Sequence, residues 1–269
     1  MLVSRGRLEP LGLLALDTTV WGFGGFSGAH LAGDLTLTVV SDRGRWWQAK
    51  IRPDPLEIDS VRHGPLRDLA GRPLRGTAGD AESLARLPDG SWLVGFERQH
   101  RIWRYERLDG PARHFPAPPG LEAATSNGGL ESLTLLPDGR LLAIAETLGR
   151  EGLRVAWLGQ DAGWEERLYR AAPGYSPTDA AALPGGGVLV LERDFSLFGG
   201  FRSRLAHVAN LSAPVLESET WLEMPGDALA ENWEAVSVTR TREGVLVVLL
   251  SDDNQNLFQR SLLALYRLG

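Results

Sequence analysis

Four stretches of this chain repeat one text at a nearly constant step, and that period excludes most architectures at once. "DAESLARLPDGSWLVGFERQHRIWRYERL" begins at Asp80, "GLESLTLLPDGRLLAIAETLGREGLRVAWL" at Gly129, "PTDAAALPGGGVLVLERDFSLFGGFRSRLAHV" at Pro177 and "NWEAVSVTRTREGVLVVLLSDDNQNLFQRSLLALYRL" at Asn232. A weaker fifth copy, "FSGAHLAGDLTLTVVSDRGRWWQAKI", begins at Phe26. Taking the acidic residue near each start as a marker, Glu82 to Glu131 is 49 residues, Glu131 to Asp179 is 48, and Asp179 to Glu234 is 55. Steps of about 40 to 50 residues are the signature of a propeller.

Within a unit the text reads as short strands separated by turns. "SLARL" and "SLTLL" alternate, "PDG" supplies a permissive glycine, and "SWLVGF", "RLLAIA" and "GVLVVLL" are apolar runs of strand length. Fourth strands are read at 56–62, 112–118, 164–172 and 215–224. The last unit ends after its third strand, and an unassigned run, "LGLLALDT" at 11–18, precedes the first unit. In a closed ring that run completes the last sheet, which is how radial repeats protect their edges. The expected fold is all-β: one β-propeller domain over 1–269 with five four-stranded antiparallel blades, closed by the N-terminal strand. Six blades is the alternative if a weaker stretch hides another sheet.

The register places the chemistry. Inner strands line the channel, and antiparallel pairing sets the start of each first strand beside the end of each second strand, at one rim. Near first-strand starts fall Ser27, Glu82, Glu131, Asp179 and Glu234; at second-strand ends fall Asp42, Glu97, Glu146, Glu192 and Asp252. Arg43, Arg98 and Arg193 follow three of the latter. So many carboxylates at one mouth must be countered, either by those arginines or by a hard cation such as Ca²⁺, which takes oxygen ligands. Asn127 and Asn232 stand just before Glu131 and Glu234 and offer amide oxygens. "ERQHR" also sets His100 beside the mouth, where it can serve proton transfer or phosphate contact.

"GFSGAHLAGDLTLTVVSDRGRW", "DAESLARLPDGSWLVGFERQHRI", "SNGGLESLTLLPDGRLLAIAE", "PTDAAALPGGGVLVLERDFS" and the unit from Asn232 together resemble the bacterial "esterase-like activity of phytase" family, over roughly residues 20 to 268. The resemblance implies hydrolysis of phosphate esters by recurrent Glu and Asp residues. Its motif positions here are Asp42, Arg43, Glu82, Glu97, Arg98, Glu131, Glu146, Asp179, Glu192, Arg193, Glu234, Asp252 and Asp253. Members are commonly exported, so a periplasmic or secreted protein is expected if a signal was removed, and a cytoplasmic one otherwise.

Other signals narrow the field. A formal charge of −6 argues against nucleic acid or anionic membrane as the main partner, since those interactions need a basic face. The absence of cysteine excludes disulfides, thiolate metal sites and cysteine nucleophiles. "GFGGFSGAH" breaks both the G-x-S-x-G and the G-x-G-x-x-G patterns and is not followed by a helix. Trp46, Trp47, Trp103 and Trp233 are expected to pack between blades.

Two functions compete. In the first, some of Glu82, Glu131, Asp179 and Glu234, helped by Asn127 and Asn232, hold Ca²⁺ or another divalent cation that polarises a phosphoryl oxygen. Arg43, Arg98 and Arg193 then bind a small phosphorylated substrate, and Glu97, Glu146, Glu192, Asp42, Asp252 and His100 are the acid and base candidates. In the second, the same mouth binds a metal, small ligand or protein partner without catalysis. A glycosidase ranks behind both. A monomer is expected.

Overall fold

A computed structural model describes residues 7–16, 24–150, 152–160, 163–196, 200–224, 231–252 and 260–269. Asp253 therefore lies outside the described residues.

Five antiparallel sheets form in the order the repeat predicts. Blade one holds β2 (Phe26–Leu31), β3 (Thr36–Ser41), β4 (Arg45–Pro53) and β5 (Leu56–Pro65). Blade two holds β6 (Ala81–Arg86), β7 (Trp92–Phe96), β8 (Arg101–Tyr105) and β9 (Ala112–Phe115). Blade three holds β10 (Leu130–Leu135), β11 (Leu141–Arg150), β12 (Leu153–Gln160) and β13 (Gly163–Arg170). Blade four holds β14 (Ser176–Ala182), β15 (Val188–Ser196), β16 (Gly200–Val208) and β18 (Glu219–Met224). Blade five holds β19 (Asn232–Thr241), β20 (Gly244–Asp252), β21 (Leu262–Leu268) and, as its outer strand, β1 (Leu8–Ala15).

The ring closes as the sequence predicts, because β1 pairs antiparallel with β21 from Leu8 against Leu268 to Ala15 against Leu262. The closing strand starts earlier than expected. Pro10 costs no ladder bond on an outer edge, and a register shift between Pro10 and Gly12 lets pairing run on to Leu8. A second boundary also differs. The run at 215–224 splits, with β17 (Val215–Leu216) lying parallel to β13 of blade three and only β18 belonging to blade four.

Packing follows the ring. The inner strands β2, β6, β10, β14 and β19 each touch the next, and β19 touches β2. Five apolar clusters fill the five interfaces between neighbouring blades; Trp157 packs between blades two and three, and Trp233 between blades four and five. Each buried leucine in these seams contributes about 1.5–3 kcal/mol, so the blades are welded face to face and the rim residues ride on a rigid frame.

Candidate functional site

Every inner strand carries one bulged residue at the mouth end, where its ladder with the second strand slips. A bulge re-aims a side chain toward the rim. The bulged residues are Ser27, Glu82, Glu131, Thr178 and Glu234. In blade four the aligned acid, Asp179, stands one position further along, paired with Leu191. It is therefore equivalent to Gly28, Ser83, Ser132 and Ala235, a position that faces the next blade. Its Oδ2 accepts from the Val236 N–H at 2.9 Å and its Oδ1 from the Ala180 N–H at 2.8 Å. Burial raises its carboxyl well above the usual carboxylate range. The expected place of Asp179 at the mouth is thus corrected to a strut between blades four and five.

The same blade shifts a second residue. Phe26 faces Ser41, Ala81 faces Phe96, Leu130 faces Ala145 and Trp233 faces Ser251, so the next residues, Asp42, Glu97, Glu146 and Asp252, stand at the rim. In blade four Pro177 faces Glu192, and the rim position falls to Arg193. Glu192 is fully buried instead, accepting from Tyr169 Oη and Arg204 Nε. Its placement at the mouth is corrected as well, since one residue of register turns a strand side chain to the other face.

The mouth is a cavity of about 360 Å³ whose lining includes Asp42, Asp80, Glu82, Glu97, Glu131, Glu146, Glu234 and Asp252, with Arg98 and Arg193. Eight carboxyl groups face two guanidiniums among the described residues. Asn127 reaches this lining; Arg43, His100 and Asn232 do not. Arg43 leans on Asp42 from outside at 3.8 Å. His100 Nε2 sits 3.0 Å from the Thr125 carbonyl, and its ring covers Gly129 so closely that a Cβ there would meet Nδ1 at 2.3 Å. Asn232 is a buried support behind Glu234, donating to it at 2.6 Å.

Three of the five rim residues bond to the start of the following blade. Glu97 accepts from the Gly129 N–H at 3.1 Å and Asp252 from the Gly25 N–H at 2.5 Å. Blade five starts at Asn232, which presents a side-chain oxygen, and there the rim residue is the donor: Arg193 gives Nη1 to Asn232 Oδ1 at 2.5 Å and to Glu234. Its Nη2 lies 3.5 Å from Glu146. Burial opposes the charge of Arg193, but Glu234, Glu146 and Glu131 outweigh it and hold the guanidinium firmly protonated.

Away from Arg193 the counter-charges are Arg98, paired with Asp80, and Arg43 beside Asp42, and the remaining carboxyls still crowd one another. Glu82 is pushed well up by burial and by Asp80 and Glu97, and Glu131 by burial and by Glu82 and Glu146. Glu97 and Glu146 are raised chiefly by burial, as is Glu234 against the pull of Arg193. Asp42 is raised to about 7, first by the low-dielectric walls and then by Asp252, although its side chain is 44 % exposed.

Asp80 is the residue the sequence reading passed over. It is 8 % exposed and pairs with Arg98, which takes a left-handed φ of 53° where the Gln99 N–H closes onto the Glu97 carbonyl. Non-glycine residues held there cost on the order of 1–3 kcal/mol, a strain met at functional sites. The signal was available: Asp80 opens its repeat two residues before Glu82, as Asn232 does before Glu234.

Two triads, Asp80 with Glu82 and Glu97, and Glu97 with Glu131 and Glu146, bring carboxylate oxygens within 4.8 Å of one another. One ion with ligands at about 2.4 Å spans such a separation, and the all-oxygen donor set suits Ca²⁺. The residues therefore fit a hard divalent cation.

Comparison with known proteins agrees with this layout. The profile of the phytase-like family, "esterase-like activity of phytase", matches residues 21–255. The chain belongs to that family. A search of curated proteins returns no match. Among solved structures, an α-L-arabinofuranosidase from Podospora anserina superposes with a TM-score of 0.57 at 9% identity, covering 96% of each chain. The PQQ-bound aldose sugar dehydrogenase of Streptomyces coelicolor gives 0.51 at 14%, covering 94% of this chain and 97% of that one. A luciferin-regenerating enzyme gives 0.51 at 12%, covering 95% of each. At such identities the likeness is one of fold.

Proposed function

We propose that this phytase-like propeller is a phosphate-ester hydrolase whose acidic mouth holds a divalent cation, Ca²⁺ by its donor set. The observation that carries the reading is Glu97, shared by two carboxylate triads in a cavity where acids outnumber arginines. Asp80, Glu82 and Glu97, or Glu97, Glu131 and Glu146, would hold the ion. Bound there, it would supply Lewis-acid polarisation of a phosphoryl oxygen.

The other roles follow from access. Arg193 is engaged by Asn232, Glu234 and Glu146, so it supports the ring and leaves Arg98, 46 % exposed, as the guanidinium that meets substrate charge. Asp42 is open to the cavity and titrates close to neutral, which matches a proton-transfer group working near physiological pH. Its Oδ atoms take the proton from the attacking water or return it to the leaving oxygen. Glu146 and Glu97 are too engaged with the ring for that task.

The test combines metal analysis of purified protein with turnover on phosphomonoesters and phosphodiesters, before and after chelation. Asp42→Asn is expected to lower turnover by about 10²–10⁴-fold with ion binding kept, whereas Glu97→Gln loses both. Ion-dependent thermal stabilisation without turnover on any ester would replace hydrolysis with a binding role for the same mouth.

A further inference from the structure

Strand β6 carries Glu82 at the mouth and Arg86 at its other end, about 13 Å along the strand. Arg86 opens into a second cavity of about 360 Å³, between the outer strands of blade one and the far turns of blade two. Its charged lining residues are Arg62, Arg86, Arg107, Glu106 and Asp109, with Gln48 and the indoles of Trp46 and Trp92 as walls.

The charges do not cancel. Asp109 is held by Arg107 at 2.7 and 2.9 Å, and Glu106 by Arg113 at 2.9 Å. Asp89, the acid whose field reaches Arg86, is occupied by Arg104 and by the Ser91 N–H and hydroxyl. Arg86 and Arg62 have no hydrogen-bond or ion-pair partner among the described residues. Arg86 lies over the Trp92 ring at 4.2 Å, which orients its guanidinium but leaves its N–H groups unused. Two guanidiniums without an ion-pair partner, Arg86 half-buried and Arg62 exposed, thus line one cleft in a protein of net charge −6, with N–H groups free to meet an anion.

We propose that this cleft binds a small tetrahedral dianion, inorganic phosphate or the phosphate group of a small monoester, between Arg62 and Arg86. The charge count selects the class: two free guanidiniums are neutralised by one dianion, where chloride or a single carboxylate leaves one unmatched. Guanidinium forks suit the oxygen edges of such an ion.

A local reporter is built in. His30 packs at a right angle to Trp92, ring centroids 5.4 Å apart, and burial together with Arg86 lowers its imidazole to about 4. The charge that acts on it is that of Arg86, so a dianion seated on Arg86 relieves part of that depression.

The experiment is calorimetric titration of the full chain with phosphate, with glycerol phosphate and with chloride, beside an NMR titration of the His30 ring in sulfate, which stays doubly charged at low pH. Saturable binding of both phosphates and not of chloride is expected, with the tighter arm naming the source. Arg62→Gln, on an outer strand, weakens it several-fold, and Arg86→Lys, which keeps the charge on Trp92, about tenfold. With chelator present, so that no cation at the mouth draws phosphate there, the mouth variant Arg98→Gln leaves it unchanged, and sulfate moves the His30 titration upward. No saturation by tens of millimolar, equal binding in Arg62→Gln and Arg86→Lys, or loss only in Arg98→Gln would overturn the proposal.

Discussion

Blades two and four spell their rims with the same dipeptide, Glu97-Arg98 and Glu192-Arg193, and put opposite charges into the mouth. In blade two the strand ends at Phe96, so Glu97 stands at the rim and a left-handed Arg98 turns back onto Asp80. In blade four β15 runs on to Ser196, strict alternation continues, and Glu192 turns inward while Arg193 takes the rim. Identical chemistry one ladder step apart thus gives a candidate ligand in one blade and a counter-ion in the other. The lesson is that position in the ladder, not residue type, assigns the role.

The largest effect should separate the two glutamates. Glu192→Ala strips the largely buried Arg204 guanidinium of its carboxylate, leaving it only the Thr220 and Ser218 hydroxyls, and takes the acceptor from Tyr169 Oη; it is expected to cost about 3–5 kcal/mol, read as a large fall in Tm. Glu97→Gln should instead leave the metal-free protein at least as stable, because it removes one of several crowded acids, while Ca²⁺ stabilisation disappears. Equal losses would break the comparison.

Next in size is the arginine itself. Arg193→Met removes the partner of Glu234 and Glu146 and should destabilise the metal-free protein by about 3 kcal/mol at pH 8. The loss should be much smaller at pH 5, where those carboxyls take up protons, and chemical denaturation at the two pH values checks it.

A smaller, global signature follows from the raised carboxyls of the mouth. A carboxyl whose folded value lies above its unfolded one contributes most at low pH, and the contribution is lost as pH rises through the folded value. For Asp42 that window runs from the ordinary carboxylate range near 4 up to about 7. The metal-free protein should therefore be more stable at pH 5 than at pH 8, and Ca²⁺ should flatten or reverse the slope. The smallest change is expected at Arg98→Gly, where relief of the left-handed residue offsets loss of a half-exposed ion pair, so that Tm moves by only a few degrees while substrate KM rises.

Much of this was legible beforehand. A period near 50 residues, turn chemistry between apolar runs and a missing last strand point to a five-bladed ring closed by the N-terminus, and Asp42 and Asp252, at the second-strand ends of the first and last units, do act on each other across the seam between those blades. Seven of the nine aligned acids reach the mouth. Asp179 and Glu192 do not, because text alignment cannot see that in blade four the bulge falls on Thr178. Asp80 escapes the repeat marker because it stands at the threshold of its strand, one residue before Ala81, while the marker acids stand inside theirs.

The division has a physical cause. Repetition, apolar alternation and turn residues are local properties, and they suffice to decide that this chain makes five sheets and gathers acids around one axis. Which acid faces the cavity depends on where each ladder slips and on what the next blade offers at its first residue: a glycine N–H before blades one and three, the Asn232 amide oxygen before blade five. Those partners are tens to hundreds of residues apart in the chain, so only the closed ring could choose between carboxylate and guanidinium at each place.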